Sequence, residues 1–257
     1  MSQKIILSVF FLLLSGTSYG STNPILEAGI NAFQQGKYDD AKQSFTNLMA
    51  DPKWKFAALY NLGNTAVRQN HLGEGLGYYI RAQHQNPHDR DTQDNIKYVL
   101  SALGGRRLVT APSNFDIFRK EVLGRFTFTE SLAMTFIFSI FFLIGTRRFV
   151  VARRNESATA PSSGLVFSFI FLVLFSGLSL LKLIDTYSER GIVITDHVDL
   201  RSGPGETNAS MMVVPEGSEM VIHDTDHDWV QVNAVGGGLL GWIPRTSLMA
   251  ISGGGPF

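Results

Sequence analysis

Two apolar stretches, FTESLAMTFIFSIFFLIGT (128–146) and GLVFSFIFLVLFSGLSLLKLI (164–184), decide how the chain is read. Each has the ~20 residues that a helix needs to cross a hydrocarbon core. Only helices or closed barrels satisfy their backbone there, and unbroken apolar runs read as helices. The segment from Ser131 to Thr146 carries no charge, which argues against a pair of buried core helices. The connecting loop, 147–163, holds Arg147, Arg148, Arg153 and Arg154. Basic residues in short loops stay on the cytoplasmic side. The spacing therefore predicts a transmembrane hairpin with its loop inside and both flanks on the opposite face. Arg119, Lys120 and Arg125 precede the first helix and weaken that charge bias. Glu130 and Lys182 stand near the outer ends, where long side chains reach the interface.

The N-terminus settles the orientation. Residues 1–20 read MSQKIILSVFFLLLSGTSYG. Lys4 opens a short positive region, an apolar run extends from Ile5 to Leu14, and Ser18 and Gly20 are small residues before a cut at Ser21. This is the pattern of a secretory signal peptide. An uncleaved anchor is the other reading of this run; either way the chain beyond Ser21 is expected to be exported, in agreement with an inward arginine loop.

The formal net charge is +0, so no basic footprint for nucleic acid exists. The chain has no cysteine, which excludes disulfides, thiol catalysis and cysteine-based zinc sites. An exported chain without disulfides holds together by side-chain packing.

Residues 21–103 repeat themselves. Placing Ala28-Gly29 over Leu62-Gly63 gives an offset of 34 residues; Phe45 then falls on Tyr79, Leu48 on Ala82 and Gln35 on Gln69. A 34-residue period of helix–turn–helix units is the tetratricopeptide signature. The second unit, LYNLGNTAVRQNHLGEGLGYYIRAQHQNPHD, resembles that family at Leu59, Leu62, Gly63, Tyr79, Ala82 and Pro87. The first resembles it at Gly29, Gly36, Tyr38, Ala41 and Phe45. Gly29 and Gly63 are expected where two helices of a unit approach closely. Gly75 departs from the family's alanine; glycine costs up to ~1 kcal/mol in a helix interior, so that helix is expected to be locally soft. DTQDNIKYVLSAL (91–103) reads as a capping helix. Two repeats and a cap make a short array. It is expected to lean on the membrane, on another chain or on a second copy. Tyr60, Asn64 and Arg68 share one helix face by their i, i+4, i+8 spacing. By resemblance that face lines a concave groove, the candidate partner site. A carboxylate-clamp groove is not expected, because Leu26 and Ile30 stand where that subfamily needs polar residues.

Residues 104–127 begin with Gly104-Gly105 as a linker. In NFDIFRKEVLGRF (114–126), Phe115, Phe118, Val122 and Phe126 fall on one face. This predicts either an interfacial helix on the outer bilayer surface or a plain helical connector.

From residue 185 to 251 short alternating runs and turns replace the helical pattern. Val198, Leu200, Arg201, Ser202-Gly203-Pro204-Gly205, Gly217, Trp229, Val232, Gly241-Trp242-Ile243 and Leu248 resemble the bacterial SH3 family. The resemblance implies a small all-β barrel, with a tail at 252–257 after it. Trp229 and Trp242 are expected in its core, with an exposed edge of Trp229 as a candidate ligand contact. GGGLLG (236–241) matches a dinucleotide fingerprint, but it precedes a strand rather than opening a helix, so it reads as a hairpin turn. His223, Asp224, Asp226, His227 and Asp228 read as a charged solvent turn rather than a metal site. Asn208-Ala209-Ser210 is a chance glycosylation sequon.

The fold class is thus a multidomain membrane protein: an all-α tetratricopeptide solenoid, two transmembrane helices and an SH3-like barrel. This order of parts is similar to the BatE-like family, the tetratricopeptide–SH3 proteins of Bacteroides aerotolerance (Bat) operons. The resemblance implies a periplasm-facing scaffold in the bacterial inner membrane with a stress or aerotolerance role. Its implied partners are membrane proteins with von Willebrand A domains and a MoxR-type ATPase. The other reading is a cell-envelope sensor that binds peptidoglycan through the SH3 domain. No nucleophile–base pair, metal set or phosphate loop stands in the chain, so neither enzymatic activity nor a cofactor is expected.

Overall fold

The computed structural model describes residues 23–104, 113–157 and 160–252. The expected signal peptide at 1–20 and the tail beyond Ser252 lie outside the described residues.

Five helices open the described chain: α1 (Pro24–Gln34), α2 (Tyr38–Leu48), α3 (Lys55–Arg68), α4 (Leu72–Gln85) and α5 (Arg90–Leu103). Local chemistry sets their ends. The Asn23 side chain accepts the Ile25 N–H at 2.9 Å with Pro24 at the first helical position, and Asp89 accepts the Thr92 N–H at 2.8 Å. The turn between α1 and α2 and that between α3 and α4 are the same turn. The left-handed residue is Gly36 (φ 74°) in one and Asn70 (φ 65°) in the other. Lys37 N–H donates to the Ala32 carbonyl and His71 N–H to the Ala66 carbonyl, both at 2.9 Å. Each pair closes over a glycine. A Cβ on Gly29 would lie 2.5 Å from the Phe45 ring, and one on Gly63 would lie 2.6 Å from the Tyr79 ring. The 34-residue spacing is therefore a repeated contact as well as a repeated pattern.

After an eight-residue helix, α6 (Asn114–Glu121), come two long helices, α7 (Phe128–Arg154) and α8 (Ser163–Tyr187). Both are long and apolar enough to cross a membrane, and most of their side chains face outward. Phe136 is 67% exposed and Leu143 66%. Their mutual contact is aromatic: Phe138 stacks on Phe171 and Phe175 with ring centroids 5.0 and 5.6 Å apart. Thr135 and Ser179 hydroxyls meet at 3.2 Å. Helix α7 passes the expected end at Thr146 and continues to Arg154, because Arg, Val and Ala after Thr146 propagate a helix and no breaker precedes Asn155. Four arginines expected in a loop thus extend α7 by two turns.

Seven strands follow: β1 (Arg190–Val193), β2 (His197–Arg201), β3 (Ser210–Pro215), β4 (Glu219–Asp226), β5 (Trp229–Ala234), β6 (Gly241–Pro244) and β7 (Leu248–Ser252). They form one antiparallel sheet in the order β3-β2-β6-β5-β4-β1-β7. Val198, Leu200, Val230, Val232 and Ile243 belong to one core, because alternate residues of each strand turn to one face. The GGGLLG segment joins antiparallel β5 and β6; Gly236, Gly237 and Gly238 have positive φ there.

The last helices of the array pack on the sheet of the same chain. Leu76, Tyr79, Val99 and Leu103 share a buried cluster with Ile192 of β1 and Ile251 of β7. Burying each such aliphatic side chain contributes ~1.5–3 kcal/mol. Glycines of α4 make the approach. A Cβ on Gly73 would lie 2.5 Å from the Val193 carbonyl oxygen, and one on Gly77 would lie 2.8 Å from the Met249 sulfur. Gly75 faces the other way, where a Cβ would lie 2.6 Å from the Val67 side chain of α3. The missing side chain at Gly75 is what admits the neighbouring helix.

Candidate functional site

Helix α3 places Tyr60, Asn64 and Arg68 on one face, and the first two meet side chains from the next helices. The Tyr79 hydroxyl donates to Asn64 Oδ1 at 2.7 Å. Asn95 Nδ2 of α5 lies 3.3 Å from the Tyr60 hydroxyl and 3.4 Å from Asn64 Oδ1. The Tyr60 ring lies between Phe56 and Tyr79, with centroids 6.3 and 6.0 Å away. Burial, and after it the nearby Tyr60, holds the Tyr79 phenol above its ordinary pKa, so it remains a donor. Tyr60 and Asn64 are half-buried and Arg68 is exposed. Of the three expected groove residues, Tyr60 and Asn64 tie α3 to α4 and α5. Asn95 joins this polar row and was missed, because its partners lie 31 and 35 residues away.

The second candidate surface is the outer face of the sheet. Trp229 and Trp242 are both half-buried, while their strand neighbours Val230 and Ile243 are fully buried. The expectation that both tryptophans are core is corrected by strand alternation. Gln231 pairs with Trp242 and Trp229 with Pro244, so the two indoles are diagonal neighbours on the solvent side. Arg201, opposite Trp242 in register, fixes the adjoining loop. Its guanidinium donates to the carbonyls of Glu206 and Asn208 at 2.7 and 2.8 Å. Asn208 in turn donates to the Pro204 carbonyl at 2.9 Å. His223, Asp224, His227 and Asp228 are exposed around the β4–β5 turn, where His223 meets Asn233 at 2.9 Å.

Charged side chains join α6, α8 and the sheet. Arg119 meets Glu219 at 3.0 Å and Asp185 at 4.0 Å; Arg190 meets Glu219 at 3.5 Å and Asp116 at 3.8 Å. Lys182 donates to the Leu123 carbonyl at 2.9 Å, and Glu130 caps α7 through Thr127 while meeting His88 at 3.1 Å. Phe115, Ile117, Phe118 and Val122 are left exposed around α6.

A recess of about 810 Å³ lies among α4, β7 and the ends of α7 and α8 nearest the array. Lys55, Tyr78, Arg81 and Lys182 contribute polar groups, and Phe128 and Leu183 contribute apolar wall. Burial, and after it the Glu74 carboxylate, pushes the Tyr78 phenol up to about 12. Burial lowers the pKa of the Arg81 guanidinium from its ordinary value. Among the described residues no ion pair is made by Lys55 or Arg81, whereas Glu74 is taken by Lys42 at 2.7 Å.

No protein-family model, no curated protein and no solved structure matches the chain.

Proposed function

We propose that this chain is a membrane-anchored interaction scaffold. In this reading α1 to α5 form a tetratricopeptide array, α7 and α8 span the bacterial inner membrane, and the sheet is a bacterial SH3-like barrel. The array and the sheet face the periplasm. Support for the orientation comes from the arginines at the joined end of the long helices and from the array and sheet packing together at the other end. The repeated Gly29–Phe45 and Gly63–Tyr79 contacts support the repeat assignment. The exposed apolar residues of α6 suit a helix at the bilayer surface.

The observation that carries the scaffold reading is the row Tyr60, Asn64, Asn95 and Arg68, a polar and aromatic surface crossing successive helices. Tyrosine and arginine dominate many interfaces, and each can contribute ~2 kcal/mol or more on truncation. The partners expected by resemblance are membrane proteins with von Willebrand A domains and a MoxR-type ATPase, in a Bat-like stress complex. A second reading, a peptidoglycan-binding envelope sensor, is favoured by the diagonal tryptophans on the outer sheet face.

Two double variants separate these readings. Tyr60→Phe with Arg68→Glu alters the groove while keeping the Tyr60 ring among Phe56 and Tyr79. Trp229→Ala with Trp242→Ala alters the sheet face outside the core. The scaffold reading expects the first variant to lose membrane partners in co-purification and the second to keep them. The sensor reading expects the second to lose binding to peptidoglycan sacculi. A groove variant that is folded and keeps every partner contradicts the scaffold reading.

A further inference from the structure

We propose that the recess among α4, β7 and the outer ends of α7 and α8 holds the head group of an anionic phospholipid, with Arg81 and Lys55 as its phosphate-binding cations. The proposal rests on the reading that α7 and α8 span a membrane. The recess has two kinds of wall. On the side of the array stand Lys55 and Arg81, neither in an ion pair among the described residues, with the neutral Tyr78 phenol near them. The carboxylates that also line it have other cations: Glu74 has Lys42 at 2.7 Å, and Asp185 faces Arg119 at 4.0 Å. A guanidinium and an ammonium suit a phosphate, the first in a fork and the second as a point charge.

The other wall is apolar and continues onto the long helices. Phe128 and Leu183 line the recess, yet 38% and 39% of each remains exposed. They carry the apolar surface of α7 and α8 into the same cavity. An occupant that suits both walls has an anionic head and a hydrocarbon tail. A free phosphate leaves the apolar wall unused, and a hydrophilic acidic peptide does the same.

The full chain, purified in detergent, is titrated with phosphatidylglycerol and with phosphatidylcholine and read by native mass spectrometry. Parallel thermal melts use each lipid, inorganic phosphate and a hexaglutamate peptide. The wild type is expected to retain phosphatidylglycerol in preference to phosphatidylcholine. Lys55→Gln with Arg81→Gln is expected to lower that retention roughly tenfold, since each cation near an anionic head contributes a several-fold preference. Arg81→Lys alone is expected to keep much of it, and Lys97→Gln, remote and paired with Asp94, to keep all of it. Equal retention of both lipids by the wild type overturns the proposal. So does full retention by a folded double-glutamine variant. Stabilisation by inorganic phosphate or hexaglutamate equal to that by phosphatidylglycerol overturns the lipid assignment in favour of a free anion or an acidic peptide. Alkaline carbonate extraction of membranes keeps the two readings apart. Release of the chain by carbonate contradicts the spanning helices themselves; an integral chain without lipid preference contradicts the recess alone.

Discussion

In α1–α2 the ring of Phe45 lies over Gly29, and in α3–α4 the ring of Tyr79 lies over Gly63, 34 residues on in both cases. The turns match as well, Gly36 against Asn70. Outside that shared contact the two hairpins part. Helix α2 carries no glycine, whereas α4 carries Gly73, Gly75 and Gly77 within its first six residues. Each glycine costs ~1 kcal/mol in a helix interior, so three of them need a compensating approach. The structure shows two approaches: α3 reaches Gly75, and the sheet reaches Gly73 and Gly77. The first hairpin is a repeat with one partner; the second is a repeat that has also become a platform.

The sheet returns a cap to that platform. His71, before α4, makes no side-chain capping hydrogen bond. Glu216, in the turn between β3 and β4, instead accepts the Gly73 N–H at 2.6 Å. A carboxylate at a helix N-terminus meets unpaired N–H groups and the positive end of the helix dipole. The cap is supplied by a residue 143 positions away in the chain.

Substitutions can break this comparison in order of expected size. Gly63→Leu puts a side chain into the Tyr79 ring in the middle of the array. A cost near the top of the ~1–3 kcal/mol range for overpacking, or beyond it, is expected, with loss of helical circular dichroism at lower temperature. Gly29→Leu makes the same clash with Phe45, but at the end hairpin, which can open locally without undocking the sheet. A smaller fall in melting temperature is expected; equal falls would erase the distinction between the hairpins.

Gly73→Ala should come next. Its added methyl meets the Val193 carbonyl, and backbone does not yield. A clash of ~3 kcal/mol less a helix gain of ~1 leaves about 2 kcal/mol of net loss, or roughly 4–8 °C in melting temperature. Glu216→Ala removes the remote cap and should cost ~1–2 kcal/mol by urea titration. Gly77→Ala should be nearly silent: its methyl crowds the flexible end of Met249 and makes ordinary contact with Ile251, and the helix gain of ~1 kcal/mol offsets the rearrangement. A large loss at Gly77 and none at Gly73 would reverse the docking geometry.

Much of this was legible in the chain. The apolar stretches, the 34-residue period and the strand alternation after residue 190 are short-range patterns, and each corresponds to an observed element. The helix–sheet contact was not legible as a contact. Its signal, three glycines at alternate positions of α4, was present, but a glycine does not say what approaches it. Glu216, Arg119 and Glu219 act across separations of about a hundred residues or more, where no spacing rule applies. Trp229 and Trp242 misled for a different reason. Size favours burial, but strand parity decides the face, and Val230 and Ile243 hold the inner one.

The sheet completes α4, and array and sheet therefore form one body. The chain contains no cysteine, which makes one disulfide a clean probe. Gly77→Cys with Met249→Cys places two thiols where α4 meets β7. Mild oxidation of the purified full chain should give near-complete intramolecular disulfide, seen as a mass loss and as faster migration on non-reducing gels, with no fall in melting temperature. Thiols that stay free in a folded chain under the same oxidant would contradict the docked arrangement.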